Sequence, residues 1–242
     1  MKFLRRFRED ALTKRKAISY ITYALGEILL VVIGILIAVY INKKQEEKNN
    51  RILQHDFARE LKSSFIKSKE HMGYIYSWSE KIYDSQKRVA KYLNDPEEEP
   101  VPSTQDWSMY FKISIPTLPE ASYESLKAFG LHQIRNDSLR AQIIDLYDVK
   151  YPSFKEATIH YNNQLNDILN DSGPYLTDWS WSWANFSTEV RQMDKLLSDV
   201  SYTFRLKVLK EINLYNTIML QEILEDIDTI ILGLEHELQT SS

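Results

Sequence analysis

The sequence predicts an all-α protein: one N-terminal transmembrane helix followed by an elongated antiparallel helical bundle. Three observations carry that expectation. The 242 residues include only 6 glycines and 7 prolines, too few for the many tight turns of a β-sandwich or barrel. One stretch, 17–41, holds fourteen Leu, Ile and Val residues and a single charge, Glu27. Beyond it, apolar residues recur at intervals of three, four and seven, the periods of a helix face.

Composition narrows the function classes. With 43% hydrophobic and 26% charged residues the chain has enough apolar material for a core and is no disordered polyelectrolyte. The absence of cysteine excludes disulfides, thiolate metal sites and cysteine nucleophiles, and leaves the redox compartment unassigned. The net charge of -4 is uneven: residues 1–16 carry seven basic side chains against Glu9 and Asp10, which leaves +5 there and -9 in the rest.

Residues 1–16 form a basic tail and residues 17–41 a signal anchor. Tyr20 and Tyr40 stand twenty residues apart, about 30 Å at the helical rise, so an aromatic marks each edge of a bilayer-thick segment. On the insertion scale, aliphatics at roughly -0.3 to -0.6 kcal/mol each outweigh one off-centre acid at up to about 3 kcal/mol. A cleaved signal peptide is the competing reading. It is disfavoured because the apolar run is long and ends in Val39, Tyr40, Ile41, Asn42 and Lys43, without a small-x-small cleavage site. The basic excess before the span puts the N-terminus in the cytoplasm, and residues 42–242 are then an extracytoplasmic domain.

In that domain Leu53, Phe57, Leu61 and Phe65 repeat every four residues, and Ile75, Ile82 and Val89 every seven, with Trp78 and Tyr92 three beyond. One amphipathic helix, continuous with the anchor, is expected to about Leu93. A long loop over 94–119 follows, because five of the seven prolines and the acidic run Glu97 to Glu99 fall there. A second helix is expected over Glu120 to Phe129 with Gly130 as its C′ residue, and a third from the N-cap Asn136 to about Asp148. Pro152 restarts a fourth, carrying Phe154, Ile159, Leu165 and Leu169 and ending at Asp171 to Pro174. The last helix, about Thr188 to Leu238, presents Leu209, Ile212, Met219, Ile223, Ile230 and Leu234 with one polar layer at Asn216. A helix of that length needs a long partner, and the membrane-proximal helix is the candidate.

Gly26, Glu27 and Ile28, then Val31 to Ala38, then Ile41 and Asn42, form one motif. Tyr123 to Lys127, Gly130 and Ile134 to Arg140, with Asp145, Leu146 and Tyr147 after them, form another. Together they resemble the signatures of an uncharacterised family of single-pass inner-membrane proteins of Bacteroidetes-type bacteria. The resemblance implies the anchor topology and a helical domain, and no activity.

Candidate functional residues are few. Glu27 lies about 10 Å inside the cytoplasmic edge, where a carboxyl needs a partner or water. It is either a proton or cation site, a polar contact to another membrane subunit, a link across an oligomer, or a group reaching back toward Lys16. Thr22, Gly26, Gly34 and Ala38 recur at multiples of four and would let another backbone approach. Trp179, Trp181 and Trp183 alternate with Ser180 and Ser182, and offer either a partner surface or a cap on the bundle end. His55, His71, His132, His160 and His236 lack the spacing of a helical metal site. No phosphate loop, nucleophile elbow or zinc-protease motif occurs, so no enzyme, catalytic residue, metal or cofactor is expected.

The domain is net acidic, which disfavours nucleic acid; the basic tail suits anionic lipid headgroups instead. Expected partners are the lipid bilayer and either a second copy or another membrane protein. Function then reads as a membrane-anchored envelope interaction or scaffold protein, the alternative being an accessory subunit of an ion-coupled or channel assembly using Glu27.

Overall fold

A computed structural model describes residues 2–115, 127, 131, 134, 136–177 and 188–240, with side chains at 23 and from 25 onward. The protein is all-α. Its elements are α1 (Lys2–Asn94), α2 (Thr104–Tyr110), α3 (Asp137–Asp145), a π-helical turn (Leu146–Lys150), α4 (Tyr151–Asn170), α5 (Met193–Ser198) and α6 (Val200–Thr240). The chain divides into two units, Met1–His55 and Asp56–Ser242.

In the second unit three long helical runs form an antiparallel bundle. Along α1 and α6 the paired positions run in opposite senses: Lys62 with Glu235 at 2.8 Å, Lys69 with Asp228 at 2.6 Å, and Ser79 Oγ with Thr217 Oγ1 at 2.7 Å. Helix α4 also opposes α6, since Lys150 meets Asp226, Asn216 meets Ala157 and Arg205 meets Asp171. The surface ion pairs contribute little to stability in water. Burial decides the register, because Phe65, Ile75, Ile82 and Val89 on α1 and Leu209, Ile223, Ile230 and Leu234 on α6 are nearly inaccessible, as their spacing predicted.

Two apolar clusters fill the bundle. One gathers Phe65, Met72, Ile143, Tyr147, Phe154, Ile227 and their neighbours, and the other gathers Val89, Trp107, Tyr110, Tyr161, Leu165 and Leu206 among others. Between them in sequence on each helix lie buried polar residues: Ser79 and Gln86 on α1, Thr158 on α4, and Asn213, Asn216 and Thr217 on α6. Asn216, expected as a single polar layer, is therefore one member of a set.

The structure corrects four sequence expectations. The loop over 94–119 contains α2, started by a capping box in which the Ser103 hydroxyl accepts from Asp106 N at 3.1 Å and Asp106 Oδ2 accepts from Ser103 N at 2.9 Å. Burial opposes the charge of Asp106, but hydrogen bonds from Ser103 and Arg88 outweigh it and hold the carboxyl below its ordinary range. The third and fourth helices are one uninterrupted run, because Pro152 is accommodated by the π-turn, in which Tyr151 N donates to Leu146 O, five residues back. Asn136 does cap that run, accepting from Ser138 N and Leu139 N.

Ile159 points outward, 46% exposed, because it lies five residues from Phe154 and so on another face; Thr158 and Tyr161 are buried instead. The final helix is broken at Asp199, whose Oδ1 accepts from Tyr202 N at 2.9 Å and opens α6 as a side-chain cap. The helix expected over Glu120 to Phe129, and its Gly130 terminus, lie outside the described residues apart from Lys127.

Candidate functional site

Helical geometry decides which of the candidate residues in the first unit share a face. Each residue advances about 100°, so Thr22, Gly26, Gly34 and Ala38 wind as a stripe over about 160° rather than stacking on one line. Glu27 is seven residues from Gly34 and eleven from Ala38, which places each of them within about 20° of Glu27, on either side of it, and leaves Gly26 about 100° away from the acid. The acid and two small residues thus form the narrower face. The side chain of Thr22 lies outside the described residues.

On that face the surroundings are open. A Cβ added at Gly26 or Gly34 would meet nothing within 4 Å, and every residue from Leu25 to Leu53 is exposed. Glu27 borders a shallow depression with Ile28, Val31 and Val32. A helix long and apolar enough to cross a membrane is present here, and none of its apolar window is buried by protein.

Trp179, Trp181 and Trp183 lie outside the described residues; the segments on either side of 178–187 pair with each other. Leu176 and Val190 form an isolated antiparallel bridge, Thr177 N donates to Glu189 O at 2.9 Å, and Arg191 N donates to Tyr175 O at 2.8 Å. Beside that bridge Tyr175 donates to Asp199 Oδ2 at 2.6 Å, a bond that lifts the phenol above its ordinary pKa and lowers that of the carboxyl. Arg205 binds Asp171 at 2.7 Å and lies 5.5 Å from the centre of the Tyr202 ring.

The buried polar set was only partly visible in sequence. Ser79 Oγ donates to Asn213 Oδ1 at 3.2 Å and lies 2.7 Å from Thr217 Oγ1, while Gln86 Nε2 reaches Tyr161 Oη at 3.0 Å and Tyr161 in turn donates to Lys112 O at 3.0 Å. Burial pushes Tyr147 up to about 12 and raises Tyr110, Tyr151, Tyr161 and Tyr202 as well, so these phenols stay neutral structural groups rather than acids or bases near neutrality. Among the described residues no cluster of three His, Cys, Asp or Glu is placed to hold a metal ion. Compared with protein-family models, curated proteins and solved structures, the chain matches none.

Proposed function

We propose that the protein is a membrane-anchored envelope interaction or scaffold protein, non-enzymatic, whose apolar helix crosses the bacterial inner membrane. Its N-terminus lies in the cytoplasm and its bundle in the periplasm. The observation that carries this reading is the contrast between the two units. Both buried apolar clusters lie between Ala58 and Leu234, whereas the residues of the first unit from Leu25 to Ile41 are uniformly exposed and almost uniformly apolar. An exposed apolar run of that length is matched by lipid around it, which supports the anchor reading. The basic tail before it supports the orientation.

Within the bilayer the face shared by Glu27, Gly34 and Ala38 is the contact for a second copy or another membrane protein. Small residues admit a close backbone, and a carboxyl on the same face supplies an interhelical hydrogen bond. Alkaline phosphatase fused after Ser242 is expected to be active and a cytoplasm-dependent fluorescent protein at the same place dark. The opposite pair of results reverses the topology.

The second reading, an accessory subunit of an ion-coupled or channel assembly, rests on Glu27 being the one charge in the span. Glu27→Gln keeps the hydrogen-bonding shape and removes ionisation. As a contact residue it should leave both assembly and phenotype intact; as a charge carrier it should spare assembly and abolish activity. Glu27→Leu should weaken assembly by roughly 0.6–2 kcal/mol if a single interhelical hydrogen bond is lost. Wild-type assembly and phenotype in both variants would remove Glu27 from either role.

A further inference from the structure

The three long helices of the bundle share one core repeat, and each breaks it with a polar side chain. On α6 the core positions from Leu206 to Leu234 fall at alternating steps of three and four, and all are Leu or Ile except Asn213 and Asn216. Ser79 takes such a position between Ile75 and Ile82 on α1, and Thr158 between Phe154 and Tyr161 on α4. These residues meet within a single turn of α6. Ser79 Oγ donates to Asn213 Oδ1 and lies beside Thr217 Oγ1, Asn213 Nδ2 donates back to Ser79 O at 3.4 Å, and Asn216 Nδ2 donates to Ala157 O at 3.4 Å.

Such a layer adds little stability, because its hydrogen bonds replace bonds to water in the unfolded chain. Thr158 Oγ1 and Asn216 Oδ1 are sealed from solvent and have no partner among the described residues, so part of the burial is uncompensated. What the layer adds is discrimination between registers. A slip of one or two residues would turn apolar side chains outward, but a slip of seven returns every core position to the same face. The connecting segments 95–136 and 171–199 are too long to forbid it as a tight turn would. Ser79 does oppose it. Seven residues one way it would face Leu206, and seven the other way Leu220, both fully buried, with its partners gone. Asn213 would arrive at the level of Met72 or of Gln86, whose amide is already bonded to Tyr110 O and Tyr161 Oη. A buried polar group stripped of its partner costs more than the intact bond contributes.

We propose that Ser79, Asn213 and Thr217 form a register lock, which selects one axial setting of α6 against α1 without adding to stability. A one-heptad slip moves the surface of α6 past α1 by about 10 Å. Any partner that touches both helices therefore finds its contact residues together in the locked setting alone. The lock lies wholly within Asp56–Ser242 and does not depend on what the anchor does.

The test uses the full chain in nanodiscs. With no native cysteine to interfere, Lys91→Cys on α1 and Thr229→Cys on α6, both exposed, carry a pair of spin labels. Excess unlabelled chain confines the measured distances to single molecules, and double electron–electron resonance should give one distance. Ser79→Ala, Asn213→Leu and Thr217→Val together remove the lock. That variant is expected to melt no lower than wild type and to add a second distance shifted by about 10 Å. Thr158→Val with Asn216→Leu removes the two unpaired oxygens and spares the lock, so it should melt higher and keep the single distance. An unshifted single distance in the triple variant would show that apolar packing alone sets the register. A triple variant that melts well below wild type would make the layer a source of stability instead. A second distance in the double variant would mean that any change in this layer loosens the bundle. Each of these three results overturns the lock.

Discussion

Trp107→Ala is expected to cost about 3–5 kcal/mol of folding stability, the range for emptying a buried large aromatic site. Trp107 is 2% exposed and lies with Tyr110 and Phe111 at ring-centre distances of 6.0 and 6.2 Å. The short helix that carries it cannot persist alone, since seven residues are too few for a stable helix in water. It is held by packing and by specific bonds: Ser85 Oγ donates to Asp106 O, Gln86 Nε2 to Tyr110 O, and Tyr110 Oη to Leu206 O. Loss of the indole should therefore release the whole turn and strip those partners. Urea titration of the protein in micelles, followed by far-ultraviolet circular dichroism, measures the loss. Val101→Ala, at a position 67% exposed in the same connection, should change stability by no more than about 0.5 kcal/mol. A Trp107→Ala loss below about 1 kcal/mol would mean that this helix does not dock on the bundle.

The same segment marks where sequence reasoning stops. Proline density made 94–119 read as a loop, and the Ser-x-x-Asp capping box at Ser103 was too short a signal to override it. What makes α2 helical is tertiary: its aromatic face meets α1 and α6, which no local pattern encodes. Pro152 misled in the opposite direction. Its missing N–H and ring clash normally end a helix, and a π-turn, which has no sequence signature, absorbed both.

By contrast the long-period features were legible, because a repeat sustained over many turns leaves one face to bury. That holds for Ile75, Ile82 and Val89 and for Ile223, Ile230 and Leu234. Of the polar set only Asn216 stood out in its heptad; its neighbours Asn213 and Thr217 acquire meaning through Ser79, more than a hundred residues away in sequence. The face joining Glu27 to Gly34 and Ala38 was present in the spacing, obscured by the four-residue repeat through Gly26. The open groove between α4 and α6 was not legible at all, since its lining comes from two helices about fifty residues apart in sequence, Ser153 to His160 and Val208 to Asn216.

If the first unit is the membrane anchor proposed above, removing residues 1–55 is expected to leave a water-soluble protein without loss of fold. The span's net preference for the bilayer, fourteen aliphatics set against one acid, comes to a few kcal/mol on the insertion scale, which is on the order of a hundredfold or more in partition. All of that preference is deleted, while both apolar clusters, beginning at Ala58, remain. The new start at Asp56 also suits a helix end, because an acidic side chain there complements the unsatisfied N–H groups and the positive end of the dipole. Residues 56–242 expressed alone should stay in the supernatant after alkaline washing and ultracentrifugation. They should also melt in one cooperative transition with helical far-ultraviolet circular dichroism. The full chain should sediment with membranes under the same wash. A fragment that also sediments with membranes would place a second lipid contact within the bundle itself. A soluble fragment that melts without cooperativity would mean that the first unit contributes to folding as well as to anchoring.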